Sequence, residues 1–522
     1  MQGTLSKATT NMTTGKEWKV IVNFAIPIFL SNLFQQMYNS VDSIIVGKYI
    51  GTNALGAVSS SGNLIFLFTS FFIGATNGAG VVIAKYFGEK RYDDMRKAIH
   101  TDIAFGLIAG VLLTIAGVLL SPVLLRLMRT DADVLPESID YFRFYFAGAL
   151  GVVMYNIFAG IINAMGNSRR TFVYLIISSG LNVLLDLLFI AVFKWGVWAA
   201  AVATSISQVT SAILCFAFLL KKGAIYQVKI KEIKIDGFMF KQIIRYGLPS
   251  GVQNSVIGLA NTLVQSNINT FGNIAMAGCG TYSKTEGFAF LPINSFTLAL
   301  STFISQNLGA KEYKRAKNGA RFAILTGVIM TQIIGLIMFF FMKYIARLFT
   351  DDVGAIEISA LQARTICLFY FLLAFSHMIA SVCRGAGKAI VPMCVMLGVW
   401  CVFRILYVEV AMRINHDIKL LFLAYPITWS ISSVIFLLYY KFSDWQHGFE
   451  KNANRKLAYE TDGDLKDDTL DKEVFSSDNN FKDDSADLAS DDRLATKTIA
   501  ATDTAAVQTD DVPNSKIPDD LP

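Results

Sequence analysis

Charge is what this chain has least of. Only 16% of its 522 residues are Asp, Glu, Lys or Arg, against 53% apolar residues. A soluble globular protein carries roughly 25% charged residues, so an ordinary water-facing surface cannot be assembled from this composition. Histidine is also scarce: the four, at positions 100, 377, 416 and 447, are scattered, and no Ser/His/Asp constellation or H-E-x-x-H pair can be drawn from them. A glycine-rich phosphate loop is missing, which removes ATP as an energy source on this chain. The six cysteines (215, 279, 367, 383, 394, 401) have neither metal-ligand nor disulfide-framework spacing and read as buried, reduced thiols. No cofactor is called for, and the absences together argue against an enzyme.

What is present is a series of long apolar runs. A spanning helix needs about 20 mainly apolar residues. Twelve such segments can be drawn, at 20–46, 56–84, 98–121, 139–163, 171–193, 196–220, 242–268, 276–305, 320–342, 361–383, 390–412 and 420–441. The first is preceded by nineteen polar-leaning residues and is too long for a signal-peptide core, so it reads as a retained helix. Loops after even-numbered helices are rich in Lys and Arg, for example Lys90, Arg91, Arg169, Arg170, Lys314 and Arg315, and the odd-numbered loops are poor in them. This alternation places both termini in the cytoplasm. From Lys451 onward acidic residues outnumber basic ones 18 to 9, which leaves 37 basic against 22 acidic in the first 450. A basic excess in so apolar a body belongs to the cytoplasmic face of a membrane, not to nucleic acid.

The pattern repeats. Pro27, Asn32 and Asn39 stand 222 residues before Pro249, Asn254 and Asn261, while GEKRY (88–92) and AMGNS (164–168) stand 221 before GAKEY and GAGKA. The expected organisation is an all-α membrane protein of two six-helix bundles. An N-terminal tail (1–15) precedes the N-lobe (16–222); a linker (223–237) leads to the C-lobe (238–442); and an acidic tail (443–522) is read as disordered. An even number of helices per repeat gives both lobes the same orientation, the geometry of transporters with parallel repeats and a cavity between two rocking bundles.

Ionisable groups at bilayer depth are costly and mark function. Asp42 is the only charge on helix 1 between Lys19 and Lys48, and Asp186 the only one on helix 5 between Arg170 and Lys194. They fall about 9 and 12 Å along their helices from the following lysines, hence at similar depth. Two carboxylates in an apolar surrounding repel unless a proton or a cation lies between them. Asn39, Asn182 and Thr204 are placed to add oxygens. The alternative is that each Asp only fixes helix packing by hydrogen bonding. In the second half, Lys284 and Glu286 lie on opposite faces of helix 8; Glu286 can pair with Arg404 of helix 11, either as a structural clasp or as a second coupling site. Glu409 and Arg413 read as an i, i+4 salt bridge. Aromatics such as Tyr38, Tyr145, Tyr155 and Tyr370 fall on helices that edge the cavity and suit amphiphilic organic cations.

These residues resemble the multidrug and toxic compound extrusion (MATE) family over about 16–442. The resemblance rests on P-x14-D-x4-G (Pro27, Asp42, Gly47), on G-x-K-x-Y after helices 2 and 8, on AMGNS followed by Leu181, Asn182 and Asp186, and on SQNLGAKEYKRA at 305–316. It implies export of cationic drugs by H⁺ or Na⁺ antiport from the cell membrane, with no cofactor beyond the coupling ion and with the chain acting as a monomer among membrane lipids. It also implies an N-lobe cation site at Asp42, Asn182 and Asp186, where Na⁺ is one candidate ion. Thr204 matches a helix 6 member of that site, and a helix 4 tyrosine is either Tyr141 or Tyr145. Some branches carry an acidic residue on helix 7; residues 242–268 have none. The rival reading is a flippase for a lipid-linked glycan precursor, which would offer basic groups to a pyrophosphate. Lys284 and Arg404 keep it open, whereas the acidic charges read in helices 1–7 favour cations.

Overall fold

The computed structural model describes residues 11–127 and 133–450. All twelve expected segments are present as helices: α1 (Glu17–Tyr49), α2 (Thr52–Gly88), α3 (Tyr92–Leu127), α4 (Leu135–Ala147 and Ala149–Ala164), α5 (Ser168–Val192), α6 (Trp198–Leu219), α7 (Gly237–Asn269), α8 (Asn273–Gly309), α9 (Tyr313–Ala346), α10 (Val353–Gly385), α11 (Ile390–Ile414) and α12 (Ile418–Phe442). Among the described residues, nine are long and apolar enough to cross a membrane, and the α4 pair, bent by 46°, makes a tenth. Of the other two, α7 is the more polar, with Gln253, Asn254 and Asn261 along it. It packs along α2. Lipid-facing positions elsewhere carry exposed apolar side chains such as Leu112, Leu119, Phe340 and Leu406.

The α2–α7 contact joins the two halves. Gly74 and Gly78 on α2, and Gly247 and Gly251 on α7, form a G-x3-G step on each helix. A Cβ at Gly78 would lie 2.1 Å from the Gly247 nitrogen, and one at Gly74 2.3 Å from the Gly251 Cα. The backbones touch there, as small residues allow where lipid offers no hydrophobic drive for helix association. Toward the basic end, Gly309 of α8 sits as tightly against the Lys85 carbonyl.

Both lobes reach further toward the chain ends than expected. The first tail was expected to run to residue 15, yet Met12 is fully buried and donates its N–H to Gln306 Oε1 at 3.0 Å. Gln306 in turn donates to the Ala164 carbonyl at 2.8 Å, and the Arg315 guanidinium to the carbonyls of Met12, Thr14 and Gly15. The second tail was expected from 443, but Trp445 and Phe449 are buried, and Tyr313 donates to Glu450 at 2.5 Å. Their apolar side chains and unpaired backbone groups are satisfied only by docking on the bundle end. Residues 1–10 and 451–522 lie outside the described residues. The linker also lies on the N-lobe: Lys229 and Asp236 donate N–H bonds to His100 and Thr101 of α3. All six cysteines are free, but Cys394 is exposed where a buried thiol was expected.

Replacing Gly74 or Gly78 by Val should cost about 1–3 kcal/mol of overpacking or more, since the obstacle is backbone. Gly80→Ala, with nothing within 4 Å of its Cβ position, is the control. Thermal unfolding in detergent should show the valine variants melting well below wild type and Gly80→Ala unchanged; equal midpoints would refute the close contact.

Candidate functional site

Two carboxylates meet inside the N-lobe. Asp42 comes from the outer third of α1. Asp186 comes from the point in α5 where the α-helix ends and a π-helical stretch, Leu187–Val192, begins. π-Turns are rare and cluster at functional sites. Asp186 is fully buried, Asn182 one turn earlier is 1% exposed, and the Asp42 and Asp186 side chains interact directly. Asn182 Nδ2 approaches Thr204 Oγ1 of α6 at 3.5 Å. Asp42 Oδ1, both Asp186 oxygens and Asn182 Oδ1 are buried without a hydrogen-bond donor. No Lys or Arg is among the groups acting on either carboxyl. Four convergent oxygens with no fixed counter-charge form a cradle for a proton or a small cation, the ligand class that satisfies buried carboxylates.

Aromatic residues roof this cradle. Of the two expected tyrosines, Tyr141 of α4 is within electrostatic reach of both carboxylates, and Tyr145 stacks on it at 6.4 Å between centroids. The bend at Gly148 presses α4 onto α6, because a Cβ there would fall 2.0 Å from Ser205 Oγ. Tyr38, hydrogen-bonded to Gln35 and Gln208, also feels both carboxylates. Sequence reasoning missed Gln208 and gave Tyr38 no part in the site, although each stands one helical turn from a residue already singled out: Tyr38 from Asp42, and Gln208 from Thr204. Asn39 is exposed on α1.

The secondary candidates separate. Lys284 is exposed on α8 and takes no part in the cluster that Glu286 forms. Tyr282 and Tyr370 donate to Glu286 Oε1 at 3.4 and 3.3 Å and bond each other at 2.8 Å. Arg404 is 2% exposed and donates to Asn261 (3.3 Å) and Thr428 (3.1 Å). Glu286 and Arg404 act on each other electrostatically but do not form the direct ion pair expected for them, because each is held by partners on its own helix neighbours. Glu409 and Arg413 make the expected surface bridge at 2.6 Å. Several charged residues within the helices escaped the sequence reading, among them Arg245 of α7. Arg143, exposed on α4, breaks the acidic run of helices 1–7, and Asp102 of α3 is a buried carboxylate outside the pair.

The MatE family model matches residues 27–188 and 249–408, one stretch in each half and together more than half of the chain. The chain belongs to the MatE family. It is therefore a multi-pass membrane transporter and not an enzyme. The probable multidrug resistance protein YoeA of Bacillus subtilis is 27% identical over 437 residues, covering 81% of this chain and 94% of that one. Two solved structures share the fold. A MATE in its bent conformation has a TM-score of 0.79 at 21% identity, covering 86% of this chain and all of the other. A MOP superfamily transporter from Pyrococcus furiosus, described as having a binding pocket of reversed polarity that suggests a different function, has a TM-score of 0.78 at 22% identity, covering 84% and 97%.

If the MATE carboxylates repel when empty, Asp42→Asn should stabilise the cation-free protein and remove its stabilisation by cation. A ligand at 100 times its Kd adds about 2.7 kcal/mol, so thermal midpoints in rising Na⁺, and separately at falling pH, should climb for wild type and stay flat for the variant. A variant as responsive as wild type would show that the pair is not the cation site.

Proposed function

We propose that the protein is a secondary active multidrug exporter, moving organic cations and amphiphiles out of the cell in exchange for H⁺ or Na⁺ bound at Asp42 and Asp186. The observation that carries this reading is the set of buried, donor-free oxygens on Asp42, Asn182 and Asp186 with no fixed cation beside them. An ion arriving there removes repulsion between α1 and α5, and its departure restores it. The pair therefore makes the preferred arrangement of these helices depend on ion occupancy, which is the coupling an antiporter needs. Thr204 and Asn182 complete the oxygen set, and Tyr141 and Tyr38 close it from water and from the substrate side. Multidrug transport is further supported by relatives named for multidrug resistance. The basic loops share one end of the bundle with both described chain ends, which supports a cytoplasmic placement of that end.

The flippase reading needs accessible basic groups for a pyrophosphate. Arg404 is enclosed by Asn261, Thr428 and two aromatic rings, which leaves Lys284 as the exposed cation on α8. A lone ammonium is a weak anchor for so heavily charged a group, so cation export is the better supported of the two.

The test is efflux of a fluorescent organic cation from proteoliposomes under an imposed pH gradient or an imposed Na⁺ gradient. One gradient should drive wild-type efflux, and Asp42→Asn or Asp186→Asn should reduce it at least tenfold. Dye that moves under neither gradient, together with translocation of a lipid-linked glycan, would hand the function to the flippase reading.

A further inference from the structure

The two halves treat charge in opposite ways at corresponding places. α5 and α11 begin 222 residues apart, at Ser168 and Ile390, and end 222 apart, at Val192 and Ile414. At that spacing Asn182 stands against Arg404. Their surroundings correspond as well. Asn182 reaches Thr204 on the next helix, and Arg404 donates to Thr428 on the next helix. Arg404 also donates to Asn261 of α7, which stands 222 residues after Asn39 of α1. Where the first half has Asp42 and Asp186, the second has Val264 and Val408, each 2% exposed. One half thus holds two carboxylates and no fixed cation, and the other a fixed cation and no carboxylate at those positions.

We propose that Arg404 is a cation built into the C-lobe, at the place where the N-lobe takes its coupling ion, so that ion exchange runs through the Asp42–Asp186 pair alone. This rests on the reading of that pair as the coupling site. A guanidinium stays protonated at any working pH, and Arg404 cannot leave: Tyr425 and Trp400 face it at 4.7 and 5.6 Å, and its hydrogen bonds tie α11 to α7 and α12. The nearby acid, Glu286, is bound by two tyrosine hydroxyls and sits in the guanidinium's field. A second mobile cation approaching Glu286 meets a like charge in a low-dielectric interior, where such repulsion is poorly screened. The C-lobe therefore behaves as permanently loaded. Its Glu286 is a latent site that Arg404 keeps closed.

The test uses the full chain purified in detergent, reading bound radioactive sodium and, separately, proton uptake on acidification as the difference from the parent protein. Asp42→Asn/Asp186→Asn should lose the wild-type cation. Adding Arg404→Met should return one bound cation per chain, and adding Glu286→Gln to that variant should remove it again; Arg404→Lys, which keeps the charge, should return none. Retention of wild-type binding by Asp42→Asn/Asp186→Asn would instead overturn the N-lobe reading itself. Loss of binding there, with nothing regained by a well-folded Arg404→Met protein, would leave the N-lobe reading standing and sink the present one. Should Arg404→Met fail to fold, Glu286→Gln in the otherwise native chain decides: unchanged stoichiometry is expected, and loss of a cation with both Asp residues intact overturns the proposal.

Discussion

Everything that faces the middle of this molecule depends on two helices touching at backbone distance. Lipid gives helices no hydrophobic reason to associate, so the halves must be joined by contact and hydrogen bonding. The Gly74/Gly78 and Gly247/Gly251 steps supply that contact between α2 and α7. Closing those helices brings α8 alongside α2, and with it the groove that receives Met12, Gln306 and Ala164 at the basic end. The segment around Met12 and the segment around Phe449 each touch both halves: Gln306 and Arg315 of the C-lobe hold the first, and Lys85 of the N-lobe stands over the second. Neither contact exists unless the glycine crossing is made.

The second constraint is charge in a medium that tolerates little of it. This protein meets it twice and differently. Asp42 and Asp186 are left with buried oxygens that meet no hydrogen-bond donor. Arg404 is enclosed by two acceptors and two rings, with only its Nε left without a partner, and Glu286 is bonded to Tyr282 and Tyr370. The first is left with several oxygens unmet, the second with a single nitrogen. Both are produced on the same six-helix plan by exchanging a few side chains.

Much of this was legible from the chain alone. The twelve helices, the carboxylate pair and its Asn182 and Thr204 companions follow from apolar run length, isolated charges and a motif. Which tyrosine of α4 comes within reach of both carboxylates was not legible, because Tyr141 and Tyr145 stand one turn apart on one face of that helix. The boundaries at Met12 and Trp445 were missed because a short polar stretch with one or two apolar residues reads as tail until a surface exists to receive it. Glu286 and Arg404 were paired in anticipation, yet Glu286 is hydrogen-bonded by Tyr282 and Tyr370, and Arg404 donates to Asn261 and Thr428.

The sequence by itself therefore determined the number, length and alternation of the membrane helices. In lipid each helix satisfies its own backbone hydrogen bonds, so its existence is a local property. Tertiary structure alone decided which polar groups meet, which carboxylate oxygens are left without a donor and which acid is hydrogen-bonded. Those outcomes depend on how each helix is rotated about its axis and where it crosses its neighbours, and no single segment carries that information.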